Sequence, residues 1–198
     1  MEFRLTYDGP LTAFRDDGAA VKARAPEKHD LRRQFHRQLK HLWQVHPNLC
    51  DLRISREADK PSEVERIAKN WVENGYRFVP LVRRDNHLIC KVEVLMLRPG
   101  GRLPGDVIQQ TGDIDNRLKT IFDALRKPRS AAELAGSTPS QGEDPFFVLL
   151  EDDALITYAA VETDTMLQPV GGNLNDVRLV IKITTGFYKV HMDNLDFA

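Results

Sequence analysis

Two short segments carry residues able to do chemistry together. The first, at 111–125, reads TGDIDNRLKTIFDAL and sets Asp113 and Asp115 two positions apart, with Lys119 four positions beyond Asp115. The second, at 149–156, reads LLEDDALI and holds Asp152 and Asp153. Carboxylates from two distant segments supply the hard oxygen ligands that Mg²⁺ takes, leaving positions for water and phosphate oxygens. A metal held this way polarises a phosphodiester and generates hydroxide from bound water. A neighbouring lysine holds a non-bridging oxygen or offsets charge developing in the transition state.

Taken singly, each acid has a plainer explanation. An Asp near a helix start caps it or complements its dipole. Asp152-Asp153 fits a solvated turn, and Asp115 with Lys119 fits a surface ion pair worth about 0.3–0.5 kcal/mol. A calcium loop counted from Asp113 fails: Arg117 falls at its fifth position, Leu118 where Gly is required and Ala124 in place of the closing Glu.

The combination resembles a known pattern. GDIDNRLKTIFDAL followed by EDDALI is similar to the RusA family of endodeoxyribonucleases, which resolve Holliday junctions. That pattern is an Asp-x-Asp-Asn, a Lys three positions on, Phe-Asp-Ala-Leu, and later an Asp-Asp before an apolar residue. Here it falls on Asp113, Asp115, Asn116, Lys119, Phe122 to Leu125 and Asp152-Asp153, about twenty residues in all. The resemblance implies that Asp113, Asp115 and Asp153 bind Mg²⁺, with Mn²⁺ as a substitute, and that Lys119 acts at the scissile phosphate. Asp152 is the less certain member of its pair, and Asp123 is expected to support the site or the helix. The resemblance also implies a homodimer acting on branched DNA such as a four-way junction, since paired cuts need two symmetric sites. The alternative is a DNA- or partner-binding module that keeps the fold without cutting. A nucleotide phosphotransferase is the weaker third option, because no Gly-rich phosphate loop is present.

The elements that must position these residues follow from patterning. The 198 residues, 41% hydrophobic and 29% charged, describe one ordinary globular domain spanning 1–198. No apolar run is long enough for a transmembrane helix, the first ten residues lack a signal-peptide core, and Cys50 and Cys90 lie outside any CxxC or zinc pattern. The expectation is a cytoplasmic protein with reduced thiols and no membrane partner. Net charge is −1, but residues 22–40 hold seven basic residues against two acids, while acids gather around 143–164. Arg32, Arg33, Arg37, Lys40, Arg83 and Arg84 are the candidate phosphate contacts.

Phe3, Leu5 and Tyr7 alternate as a first strand that Gly9-Pro10 stops, and 12–27 reads as a loop. Leu31, Phe35, Leu39 and Leu42 mark one side of a helix at about 29–45, with Arg32, Arg33, Arg37 and Lys40 on the other and Pro47 ending it. His36, His41 and His46 are spaced five apart, which suits packing or solvation rather than a helical metal site. A weak strand signal covers 51–55. Ser62 and Glu65 form a capping box. Strands at 76–82 and 88–97 flank a hairpin-sized turn at 83–87. The motif helix covers about 113–127, and the Ser-, Gly- and Pro-rich 127–145 reads as a mobile surface insertion with a helical turn at 131–135. An apolar run at 146–150 and strands at 156–162 and 177–183 close the domain. Together these predict an α+β fold, a mixed sheet packed on one side by helices, RusA-like by resemblance.

Overall fold

Alternating residues build the larger sheet. In the computed structural model, which describes residues 1–12, 20–55, 60–99, 114–168, 170–173, 175–191, 194 and 197, four strands align in one mixed sheet. They are β1 (Glu2–Pro10), β4 (Leu88–Pro99), β6 (Ile156–Met166) and β7 (Asp176–Phe187), in the order β1-β7-β4-β6. β7 is antiparallel to both β1 and β4, and β6 joins β4 in parallel. Leu5, Val92, Val94, Met96, Leu179, Ile181 and Ile183 point to one face and are buried, as the two-residue period requires. The opposite face carries an ion ladder, Lys182 bridging Glu2 and Glu93 and Arg178 pairing with Asp8. Gly9 of β1, at φ +155°, leaves room for the Tyr7 hydroxyl, which a Cβ there would meet at 2.8 Å.

Continuous apolar runs build the smaller sheet. β2 (Val72–Glu73), β3 (Tyr76–Val82) and β5 (Phe146–Leu150) lie in the order β2-β3-β5, with β3 and β5 parallel. β5 is buried throughout, as a strand covered on both faces must be. The strands flanking 83–87 therefore do not pair as a hairpin: β3 lies in the smaller sheet and β4 in the larger. The turn is a crossover organised by Asn86, whose Oδ1 accepts from the backbone of Arg83 and Leu88 and whose amide donates to Leu81 O. Alternation identifies each strand but not its neighbour.

Helices cover the core. α1 (Ala20–Val45) begins well before the expected residue 29 and carries Pro26 within it, so the 20–27 part of the expected loop is helical. α2 (Pro47–Cys50) and a 3₁₀ turn at Asp51–Arg53 replace the expected strand at 51–55. Pro47 both follows the end of α1 and opens α2, where its fixed φ is favourable and no N–H is required. α3 (Glu63–Asn70) is capped by Ser62, whose hydroxyl accepts from Glu65 N at 3.2 Å. The reciprocal half of the box is absent, because the Glu65 carboxylate pairs with Arg77 at 2.7 Å. α4 (Ile114–Leu125) is the motif helix.

The 127–145 segment is packed onto the domain through a buried anchor. Leu134, in a 3₁₀ turn at Ala131–Leu134, is fully buried in a satellite cluster with Tyr76, Phe78, Phe146 and Val148. Two histidines of α1 lace the segment down. His36 Nδ1 accepts the Phe147 N–H at 2.8 Å, so the ring proton sits on Nε2, which donates to Gly142 O at 3.3 Å. Tyr76 donates its hydroxyl proton to Thr138 O at 2.9 Å, so His29 Nε2 donates to Tyr76 and its Nδ1 faces Arg32. Both rings are neutral. Burial, reinforced by Arg32 and Arg33, lowers the His29 pKa to about 4, and burial lowers that of His36.

Candidate functional site

α4 presents its motif as two faces. Arg117, Thr120, Ile121, Ala124 and Leu125 are buried, and Leu118 and Phe122 pack partly covered against the core. Asp115 and Lys119 stand exposed one turn apart, on the stripe that the four-residue spacing predicts. Asp115 lies in the first turn, where the helix dipole favours an anion. Asp113 lies outside the described residues.

The second motif forms a tight turn. Asp152 accepts the Ala154 N–H at 2.9 Å, capping a 3₁₀ turn at Asp153–Leu155, and this contact with help from Arg129 depresses its pKa. The turn packs against α4. Arg129 holds both carboxylates, at 3.4 Å to Asp152 and 2.7 Å to Asp153, and Arg126 lies 3.9 Å from Asp153.

An ion network anchors this assembly. Buried Asp123 receives Lys28 of α1 and, at 2.6 Å, Arg126. Burial alone would raise its pKa, but the two cations outweigh it and the carboxyl titrates low. Arg126 also pairs with Glu133 at 3.1 Å, and Arg32 donates to the Asp123 carbonyl at 2.9 Å while lying 3.7 Å from Glu133. Asp123 thus fastens α4 to α1. Arg126, Arg129 and Lys28 were missed in the sequence. Arg126 stands three residues after Asp123, a helical pairing distance that was legible; Arg129 lies in an irregular segment with no period to mark it.

The expected metal ligands divide. Asp153 is tied through Arg126 to the C-terminal end of α4, whereas Asp115 lies eleven residues earlier, about 16 Å along the helix axis. Among the described residues, no three Asp, Glu, His or Cys side chains group closely enough to hold a metal ion. The donor chemistry of Asp115 and Asp153, carboxylate oxygens alone, is nevertheless the kind Mg²⁺ takes. The acids of 143–164 do not form one pocket: Glu143 pairs with Arg33, Asp144 with Arg77 and Glu151 with Arg84.

The basic residues also divide. Arg32 is fully buried and Arg83 is 3% exposed, so neither can meet a phosphate at the surface. Burial pulls the Arg32 pKa down to about 10. Arg83 is held by Asp85 and Pro80 O and stacks over the Phe197 ring. Arg37 and Arg84 are exposed, and Arg33 and Lys40 partly so. Arg33, Arg37, Lys40, His41 and Gln44 line a cleft of about 500 Å³ between α1 and residues 140–143. Lys40 Nζ donates to Gly142 O at 2.6 Å across it.

No helix among the described residues is long and apolar enough to cross a membrane. No family model matches the chain, and no curated protein and no solved structure matches it.

Proposed function

We propose that the chain is a magnesium-dependent, structure-specific endodeoxyribonuclease of RusA-like type, acting on branched DNA. The observation that carries this reading is the placement of the two motifs. Asp115 and Lys119 share an exposed stripe of α4, and the turn bearing Asp153 packs against that same helix. In this reading Asp113, Asp115 and Asp153 would hold Mg²⁺ only with the turn bearing Asp153 drawn toward the first turn of α4, and the bound ion would supply Lewis-acid polarisation of the phosphodiester and an ionised water. Lys119 meets a non-bridging oxygen as negative charge grows there. Asp123 positions α4 through Lys28 and Arg126. Arg37 and Lys40, with Arg33 and Arg84, contact phosphates flanking the cut.

A second reading draws on the Arg129 clasp. Two arginines already face Asp153, an arrangement that also suits a purely structural turn in a DNA-binding module that does not cut. Labelled four-way junction, flap and duplex DNA incubated with the chain in Mg²⁺ or EDTA separates the two. Paired nicks in the junction that vanish in EDTA support the nuclease. Tight binding with intact DNA under both conditions supports the module, and no binding to any DNA overturns both.

A further inference from the structure

Beyond β7 the chain returns to the crossover turn at 83–87 and is fastened there by polar contacts. Tyr188 N donates to His87 O at 3.1 Å, and the Tyr188 hydroxyl donates to Arg84 O at 3.2 Å. Buried Asn194 accepts from His191 N at 2.9 Å and donates to Asn86 O at 3.0 Å. These contacts bring His87 and His191, far apart in sequence, to a ring-centroid separation of 4.8 Å at a tilt of 40°. Both line a cleft of about 400 Å³. His87 reaches it from a left-handed backbone at φ +54°, a conformation that a β-carbon disfavours and that persists where the surroundings fix it. Its tautomer is also fixed. Because the Tyr188 proton goes to Arg84 O, the Tyr188 oxygen accepts the His87 Nδ1–H at 3.0 Å, which leaves the lone pair on Nε2. A metal-binding imidazole is held in this way, its outer nitrogen donating to a partner that sets tautomer and ring orientation.

We infer that His87 and His191 share one divalent ion of the zinc, nickel and copper class, which clasps the C-terminal segment to the crossover turn. Two imidazoles bound to one ion at Zn–N distances of about 2.0–2.1 Å stand with their ring centroids roughly 4.5–5.3 Å apart. The separation of 4.8 Å lies inside that range. Imidazole nitrogen selects this class of ion over Mg²⁺, so the site is chemically separate from the carboxylates of Asp115 and Asp153. Glu63 and Asp85 line the same cleft and pair with Arg66 at 2.9 Å and Arg83 at 2.8 Å. With both imidazoles neutral, the cleft therefore carries no net charge to repel a dication. Two protein ligands leave the other positions to water, which makes the site weaker than a closed four-ligand one. The ion binds only while residues 87 and 191 are together, so it stabilises the docked segment by mass action. That segment includes Phe197, which packs against Trp43 and beneath the Arg83 guanidinium. The inference does not depend on the nuclease reading.

Isothermal titration of the full chain with zinc chloride near neutral pH tests it. His87→Asn keeps a residue that tolerates the left-handed backbone, and His191→Gln changes an exposed side chain. Each should keep the wild-type circular dichroism spectrum and weaken Zn²⁺ binding at least about tenfold, since even an outer partner of a ligand is typically worth that. His41→Gln, on α1, should leave the affinity unchanged. A variant that fails to fold also fails to bind, so the unmutated chain supplies a second reading. With one equivalent of Cu²⁺ its electron paramagnetic resonance spectrum should show coupling to two imidazole nitrogens. Unchanged Zn²⁺ affinity in either folded variant overturns the inference. So does a Cu²⁺ spectrum with fewer than two imidazole nitrogens, which leaves the two rings as a stacked pair only. Neither readout involves DNA or Mg²⁺, so its failure is separable from failure of the proposed activity.

Discussion

Arg129 holds Asp153 at 2.7 Å, and its guanidinium also reaches Asp152 at 3.4 Å. A cation and a metal ion cannot both take the same carboxylate oxygen at full strength. If Asp153 is a ligand, Arg129 competes with Mg²⁺. Arg129→Gln should therefore tighten Mg²⁺ binding roughly threefold to tenfold, equivalent to about 0.7–1.4 kcal/mol, when followed by isothermal titration. Thermal stability should hardly change, since Arg129 is exposed and such pairs contribute at most about 1 kcal/mol. Unaltered Mg²⁺ affinity would remove Asp153 from the ligand set.

Two neutral histidines make stability depend on pH. His29 and His36 have pKa values below their unfolded value of about 6.5, so the unfolded chain binds more protons between the two limits. Their contribution is complete above pH 6.5 and is lost as pH falls toward about 4 for His29. For His29 alone the loss is on the order of 3 kcal/mol. Urea unfolding at descending pH should show the decline, with a shallower slope in His29→Asn. A flat profile between pH 7 and 4.5 would contradict the neutral tautomers assigned here.

The 127–145 segment should fail as a unit when its anchor is removed. Leu134 is fully buried against Tyr76, Phe78, Phe146 and Val148, so Leu134→Ala should cost about 2–5 kcal/mol. Amide exchange should accelerate in 130–143 ahead of the larger sheet. Equal protection of this segment in both proteins would mean that the histidine contacts alone hold it.

Arg32 and Arg37, five residues apart on α1, should behave oppositely. Arg32 is buried among Asp123 O, Arg126 O and Glu133, so Arg32→Met should lower stability by about 3–5 kcal/mol. Arg37 is exposed, and Arg37→Gln combined with Lys40→Gln should leave the melting temperature nearly unchanged. It should reduce the slope of log affinity for DNA against log salt by about 2. An unchanged slope would move the phosphate path away from the α1 cleft.

These residues also explain what the sequence revealed. Beside buried Leu31 and Phe35, α1 buries a second row, Ala25, His29, Arg32, His36, Leu39 and Trp43, a helical alternation of four and three residues. Half of its members are basic or imidazole side chains, so hydrophobic periodicity saw Leu31, Phe35 and Leu39 but assigned Arg32 to the solvent. The strands of the larger sheet were legible because one face is apolar and the other polar. The separation of β3 from β4 was not, because pairing partners are chosen by tertiary packing. Asp115 and Lys119 were placed on one exposed stripe by spacing alone. The Arg129 clasp was invisible, since it depends on an irregular segment folding back over a turn twenty-three residues later.

The proposed nuclease requires Asp115 and Asp153 to serve one metal-dependent cleavage site. Single-turnover cleavage of a four-way junction by Asp115→Asn and Asp153→Asn, alongside direct measurement of junction binding, tests it most directly. Each variant should bind the junction as the wild type does and lose at least about a hundredfold in cleavage rate, a barrier increase of about 2.7 kcal/mol. Undiminished cleavage by either variant would contradict the shared site.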